Sequence, residues 1–233
     1  DTAKFRGRLA EVRKLANALP AAGRKPLYVT EYGVRGRRPA GVPAPGLYED
    51  GTPLARTRIA AFQQAWFQIA AAQLGYAGTV RWDCFAGKYD RGTQAFSAIG
   101  PWQEAWPLFP GYEALRLVTA TTGPGWRVLA VERRRPSAGP KHLTAFAGPA
   151  GELTVLGLHA RGAQLEGVSP TVASYAIGGL APSAPLTLAV WNRTGDGRNE
   201  YAGEVVSDAA GAVTVRVPLH AVFALSSVAL AGL

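Results

Sequence analysis

Two short segments of the sequence end in polar and aromatic residues that could take part in chemistry. Glu31 and Tyr32 close the run Leu-Tyr-Val-Thr-Glu-Tyr, and Trp82 and Asp83 close the run Gly-Thr-Val-Arg-Trp-Asp. A carboxylate can act as a nucleophile that forms a covalent intermediate, and the end of a strand can hold it rigidly. Glu31 is therefore the candidate catalytic residue.

Helices and strands alternate in the first half of the chain. Apolar residues at three- and four-residue steps predict helices, each with one apolar face, over residues 3–19, 57–74 and 111–121. β-forming residues predict strands at 27–30 and 78–85. The first of these strands is almost continuously apolar, which is typical of a strand buried on both faces of a parallel sheet. The alternation predicts βαβ units around such a sheet.

The sequence divides into two predicted domains, 1–122 and 123–233. Two parallel strands need neighbours on each side, so the first domain is expected to be the end of a larger α/β unit. Both polar clusters follow the C-terminal ends of strands, where (β/α)8 barrels carry their active sites. The second domain contains regular short strands between glycine turns, which predict an antiparallel β-sandwich. These strands are expected at 126–132, 142–147, 152–158, 172–176, 186–192, 203–206, 212–217 and 221–229.

One motif resembles a known family. The run Leu-Tyr-Val-Thr-Glu-Tyr-Gly at 27–33 is similar to the seventh strand of retaining (β/α)8 glycoside hydrolases, the clan of cellulases, β-xylosidases and β-glucuronidases. The resemblance implies that Glu31 is the nucleophile. The run at 80–83 looks like the eighth strand, whose Trp lines a sugar subsite in that clan. The expected architecture is α/β plus all-β: barrel strands seven and eight with their helices, followed by the β-sandwich.

The resemblance also implies a second carboxyl group. A retaining enzyme needs an acid/base roughly 5–5.5 Å from the nucleophile; in the clan it is usually a Glu after Asn, upstream of the nucleophile. The one Asn-Glu pair of this chain, Asn199-Glu200, follows Glu31, so the role is not transferred to it. The acid/base is expected from an N-terminal barrel half, on a separate chain or a further segment. The chain lacks Met and begins at Asp1, which predicts a processed or truncated chain.

Five further residues are candidates for substrate binding: Tyr32, Trp82, Asp83, Tyr89 and Trp102. The Trp82 ring offers an apolar face to the C–H face of a sugar, and Tyr32 could hold the Glu31 carboxylate by a hydrogen bond. Tyr89 and Trp102 lie in a long aperiodic segment, and such loops are often functional. They could line a carbohydrate groove.

All of these candidates except Tyr89 also have a simpler structural interpretation. Glu31 could be a strand-end carboxylate paired with an arginine, and Tyr32 and Trp82 could pack in the core. Asp83 could make a structural hydrogen bond, and Trp102 could anchor its loop. The arginines available to Glu31 are Arg35, Arg37 and Arg81.

The composition disfavours several other functions. The net charge is +9, but the arginines are spread along the chain without a nucleic-acid fold motif, so they indicate a solvated surface. No apolar run approaches the roughly 18–20 residues of a membrane span. The single Cys84 and three scattered His show no metal-ligand spacing. The sequence predicts no metal, cofactor, nucleic-acid or membrane partner.

Two functions remain. The first is a retaining glycosidase that acts by double displacement, carries the nucleophile Glu31 and needs the other barrel half. The second is a non-catalytic carbohydrate-binding or structural β-sandwich module. An upstream region with the acid/base motif would favour the enzyme. Secretion would suit an enzyme acting on polymeric glycans outside the cell.

Overall fold

The computed structural model describes residues 2–32, 54–81, 84, 97–132, 141–159, 172–192, 200–218 and 221–229, and they form a mixed α/β fold. The helices are α1 (Thr2–Asn17), α2 (Arg58–Gln73) and α3 (Pro110–Thr121). The strands are β1 (Tyr28–Tyr32), β2 (Gly78–Arg81), β3 (Arg127–Leu129), β4 (Lys141–Ala147), β5 (Leu153–His159), β6 (Val172–Gly178), β7 (Pro185–Trp191), β8 (Glu200–Val206), β9 (Ala212–Pro218) and β10 (Ala221–Ser226). Among these helices, none has both the length and the apolar composition of a membrane span.

A six-stranded antiparallel sheet is the largest element of the fold. Its strand order is β3-β4-β5-β10-β7-β8, so β10, the last of the described strands, is inserted between β5 and β7. All six residues of β10 are buried, because both faces of the sheet are covered. Successive side chains of a strand point to opposite faces. Accordingly, Phe223 and Leu225 enter one core, and Val222 and Ala224 enter another.

The two-stranded antiparallel sheet β6–β9 shares one of these cores with the six-stranded sheet. Along β9, Val213, Val215 and Val217 are buried and alternate with more exposed residues, as expected for a strand with one covered face. The Tyr175 ring of β6 packs against Phe223, with ring centroids 5.1 Å apart. The predicted antiparallel strands of the second half are therefore confirmed as strands.

Helices α2 and α3 cover the opposite face of the six-stranded sheet. Phe62 of α2 meets the fully buried Trp191 of β7 edge to face, with ring centroids 5.9 Å apart. Leu117 of α3 belongs to the same apolar cluster. A hydrogen bond from Thr154 Oγ1 to the Thr121 carbonyl oxygen (2.5 Å) ties the end of α3 to β5. The helices and the sheet thus share a continuous core.

Strands β1 and β2 pair in parallel and are connected through α2, which confirms the predicted βαβ unit. The first strand is expected to be buried on both faces of a larger sheet, and the described residues cover one of these faces. Tyr28 is 57% exposed, and Thr30 and Glu31 are exposed too, because the described helices pack on the other face of the pair. Val80 of β2 is equally exposed on the uncovered face.

The expectation of one apolar face on α2 is wrong. The helix contributes Phe62 and Ile69 to the core with the six-stranded sheet, and Phe67 and Ala71 to a separate cluster with β1 and α1. It is buried on two sides because it lies between two sheets. Gln73, the last residue of the helix, is exposed.

Replacement of Gly157 by alanine is expected to destabilise the protein by about 1–3 kcal/mol, the usual cost of overpacking a core. A Cβ atom at this position would overlap the Phe223 ring and would lie 2.8 Å from Leu143 Cδ2. Urea denaturation measures the change. Gly178→Ala is the matched control, because a Cβ there meets nothing within 4 Å. Equal stability of the two variants would contradict this account of the core.

Candidate active site

Glu31 lies at the C-terminal edge of the parallel strand pair. It is the penultimate residue of β1, its side chain is exposed, and the last pairing of the two strands joins Tyr32 to Arg81. Trp82 and Asp83 come directly after β2 in the sequence. They and Tyr89 lie outside the described residues. The structure thus presents the candidate nucleophile at an open strand end.

A register shift in β1 determines which residues face the helices. Val29 pairs with Thr79, whereas Tyr32 pairs with Arg81, so three steps along β1 match two along β2. Val29 and Tyr32 both pack in the cluster beneath α2 although they are three residues apart. In a regular strand Glu31 would share the face of Val29. The shift turns Tyr32 toward the helices and leaves Glu31 exposed.

Tyr32 is held in the core by stacking and by hydrogen bonds. Only 7% of it is exposed, and its ring stacks on Phe67 with centroids 4.0 Å apart. Its hydroxyl oxygen accepts hydrogen bonds from Gln64 Nε2 and from Gln68 Nε2, the latter at 2.7 Å. Of the two interpretations left open for Tyr32, the geometry is that of a core residue.

Two glutamines of α2 connect Tyr32 to β2. Gln64 Oε1 accepts a hydrogen bond from Arg81 Nη1, and Gln68 Oε1 accepts one from Thr79 Oγ1 at 3.1 Å. Each glutamine therefore links the Tyr32 hydroxyl on β1 to a side chain on β2. Arg81, considered from the sequence as an ion-pair partner for Glu31, donates to Gln64 instead.

Sequence reasoning missed Gln64 and Gln68. They are four residues apart and therefore lie on one face of α2. The available signal was that these are two of the four glutamines in a helix otherwise rich in alanine and aromatic side chains. Helical periodicity cannot reveal it, because the second buried side of α2 is apparent only when the strands are in place.

Burial raises the pKa of the Tyr32 hydroxyl above its ordinary value. The hydrogen bond from Gln64, the positive charge of Arg81 and the bonds from Gln68 and Thr79 act in the opposite direction, because they favour the phenolate. Burial outweighs them, so the hydroxyl stays protonated at neutral pH.

A short hairpin-like segment, residues 98–109, lies at the same edge as Glu31. The Cys84 carbonyl, three residues after β2, accepts hydrogen bonds from the backbone N–H groups of Ala98 (3.1 Å) and Ile99 (2.7 Å). Ile99 then pairs with Leu108 in an antiparallel bridge. Between them, Trp102 is 67% exposed on a single 3₁₀ turn. Trp102 is therefore available to contact a ligand.

The tip of this segment has strained backbone angles, and Arg56 from another part of the chain contacts it. Ala105 and Trp106 both adopt left-handed backbone angles (φ 59° and 55°), which cost about 1–2 kcal/mol each in residues with a Cβ. Arg56, which precedes α2, forms an ion pair with Glu104 (Nη2–Oε2 2.5 Å) and lies 4.9 Å above the Phe109 ring centroid. These contacts join the segment to the chain that leads from β1 into α2.

Other features of the described residues lie elsewhere. An open cleft of about 700 Å³ separates α1 and α2 from β3 and β4, and its lining includes Arg6, Gln73 and His142 but none of the candidate site residues. Within the described ranges, no three His, Cys, Asp or Glu side chains are grouped so that they could hold a metal ion.

Comparisons with known proteins show similarity in structure and none in sequence. No protein-family model matches the sequence, and no curated protein matches it either. The structure is similar to a GH30 endoxylanase from Clostridium papyrosolvens C71 (TM-score 0.60, 9% identity, 89% of this chain and 43% of that one). It is also similar to an alpha-L-arabinofuranosidase from Thermotoga maritima (TM-score 0.60, 14% identity, 97% of this chain and 48% of that one). A third similar structure is a bifunctional glucanase-xylanase from a metagenome library, with a TM-score of 0.53 and 11% identity. The match covers 94% of this chain and 33% of that one.

These similarities define the class of fold. At such low identity they show the fold alone: a mixed α/β arrangement with several antiparallel sheets, like the barrel and sandwich domains of glycoside hydrolases. The chain spans less than half the length of each of these three proteins.

Tyr32→Phe is expected to weaken the loss of stability at alkaline pH. Because the pKa of folded Tyr32 is raised, the unfolded state loses this proton first as the pH rises above about 10, and the free energy of unfolding then falls. Phenylalanine removes that contribution. Urea denaturation between pH 8 and 10.5 measures the slope, and Tyr28→Phe, which changes an exposed tyrosine, is the control. A wild-type slope in Tyr32→Phe would refute the assignment.

Proposed function

We propose that the chain is the C-terminal portion of a retaining glycoside hydrolase. In this proposal, residues 1–122 are the end of a (β/α)8 barrel with β1 and β2 as strands seven and eight, and residues 123–233 are a β-sandwich domain. Glu31 is the nucleophile. The acid/base comes from the remaining part of the barrel, on another chain or a further segment.

The exposed carboxylate at the C-terminal edge of two parallel strands is the observation that carries this proposal. Barrel enzymes place catalytic residues at this edge. Irregular strand pairing is over-represented next to active sites, where it re-aims a side chain. The register shift around Glu31 is of that kind, and the fold is similar to that of glycoside hydrolases.

The proposed reaction is a double displacement. A Glu31 oxygen attacks the anomeric carbon, the bond to the leaving oxygen breaks, and the acid/base donates its proton to that oxygen. The same group then removes a proton from water, whose oxygen attacks the anomeric carbon and releases Glu31. The first step requires the carboxylate form of Glu31.

The segment with Trp102 supports a carbohydrate substrate. An exposed indole ring offers a flat apolar surface to the C–H face of a sugar. The strained tip and the Arg56–Glu104 ion pair fit a ligand-contacting role, because strained backbone residues cluster at active sites and ligand-binding segments. In the proposal, Trp82, Asp83 and Tyr89 complete the substrate contacts.

A partly apolar, uncovered surface supports the second barrel part. On α1, Val12 is 50% and Leu15 66% exposed, and Tyr28 and Val80 are exposed on the open face of the strand pair. A parallel sheet normally has both faces covered. Further β-strands and helices of a barrel are the occupant that would cover these residues and extend the pair on both edges.

Glu31→Gln in the complete protein is expected to lower glycoside hydrolysis on the order of 1,000-fold, which corresponds to roughly 4 kcal/mol of transition-state stabilisation. The amide cannot supply the anionic nucleophile. Because the similar structures include an endoxylanase and an arabinofuranosidase, aryl xylosides and aryl arabinofuranosides are the first substrates to test.

The matched control is Glu204→Gln, which changes an exposed glutamate of β8 and is expected to leave the rate unchanged. A 2-fluoro glycoside that forms a stable glycosyl-enzyme should label the Glu31 peptide in mass spectrometry. Full activity of Glu31→Gln, or labelling of a different residue, would exclude Glu31 as the nucleophile.

The protein isolated from its source is expected to have a native mass well above the 24.5 kDa of this chain. A full barrel of about 250 residues requires more than the strands and helices seen here. Native and denaturing mass spectrometry measure it, and Leu15→Asp should weaken the assembly whereas Val206→Asp, an exposed change on β8, should not. A folded 24.5 kDa monomer that binds glycan without hydrolysis would favour the binding module.

A further inference from the structure

A buried polar network beneath Glu31 has no part in the proposed chemistry. Gln64 is fully buried in the middle of α2, where an unsatisfied amide would be costly. Both ends of this amide are used: its nitrogen donates to the Tyr32 hydroxyl and its oxygen accepts from Arg81. A network of this kind is stable only when its members meet in one arrangement.

The network fixes the position of Tyr32, the residue that follows Glu31. Tyr32 is fixed through its ring by Phe67 and through its hydroxyl by Gln64 and Gln68. Its orientation therefore determines the backbone on the C-terminal side of Glu31. On the other side, Val29 is fixed in the same cluster and by its pairing with Thr79.

The same contacts select the shifted register. With Val29 and Tyr32 both held toward the helices, the two residues between them must take up the extra step of β1. A one-residue slip would turn each side chain to the opposite face. The direction of the Glu31 carboxylate then depends on whether Tyr32 stays clamped.

We propose that Gln64, anchored by Arg81, is a positioning residue for Glu31: by clamping the Tyr32 hydroxyl, it fixes the register shift that aims the carboxylate. This inference rests on the proposed function, because it concerns the presentation of the nucleophile. Gln64 touches no substrate in this scheme. It acts through Tyr32, and the rate of attack by Glu31 responds to it.

The test uses the complete protein with Gln64→Leu, which keeps the size and the helical preference of the side chain but removes both hydrogen bonds. We expect kcat to fall on the order of 10- to 100-fold with KM nearly unchanged, because small displacements of a reacting group cost rate. Labelling of Glu31 by the 2-fluoro glycoside should slow equally. Gln63→Leu, the same change at an exposed neighbour, should leave both values unaltered.

Two further variants separate positioning from loss of folding. Gln64→Glu keeps the acceptor for Arg81, and its second carboxylate oxygen can accept a hydrogen bond donated by the Tyr32 hydroxyl, so it should recover most of kcat. Tyr32→Phe retains the ring but not the hydroxyl; it should lower kcat, and its combination with Gln64→Leu should lower kcat little further.

The outcomes distinguish this inference from the function on which it rests. If wild-type protein is labelled at Glu31 but Gln64→Leu and Tyr32→Phe react at the wild-type rate, the positioning role is refuted and the glycosidase stands. If wild-type protein is not labelled at Glu31, both are refuted. A fall in kcat with rescue by Gln64→Glu supports the clamp.

Discussion

Helix α2 is packed on two sides, and the arrangement of the described chain depends on this constraint. One side meets the six-stranded sheet through Phe62 and Ile69, and the other meets the strand pair through Phe67 and Ala71. Because protein interiors are close-packed, a helix held in this way transmits the position of one layer to the other. The antiparallel sheets and the parallel pair are joined into one structure mainly through this helix.

The same helix explains why polar residues lie at a buried place. A wholly apolar second face would pack against β1 without specifying its register. Gln64 and Gln68 require partners at defined positions, and Tyr32, Arg81 and Thr79 supply them. Desolvation of these groups costs free energy, and the compensating hydrogen bonds form fully in one strand register only. Among the described residues, Tyr28, Glu31 and Val80 are exposed on the other side of the strand pair.

The proposed chemistry needs a rigid scaffold and an accessible edge. The scaffold consists of the six-stranded sheet, α2, α3 and the polar network of Gln64. The edge carries Glu31 and the segment with Trp102, which is rooted at the Cys84 carbonyl and braced by Arg56. This division of roles is usual in enzymes, where loops on a rigid scaffold contact the substrate.

The sequence by itself determined the elements. Helical and strand periods placed α1, α2, α3 and the strands within a few residues of their bounds, because these periods reflect which side chains face a core. The alternation of β1, α2 and β2 predicted the parallel pairing. The Glu31 motif, and the resemblance it carries, pointed to the strand end on which the proposal is built.

Only the tertiary structure decided the register shift, the two-sided burial of α2 and the clamp on Tyr32. Periodicity reports one buried face per element, and it cannot say that a second layer will cover the other side of a helix. A shift of one residue between strands leaves the sequence pattern of each strand unchanged. The partners of Gln64 lie 32 and 17 residues away along the chain, so they meet only after the strands and the helix have packed together.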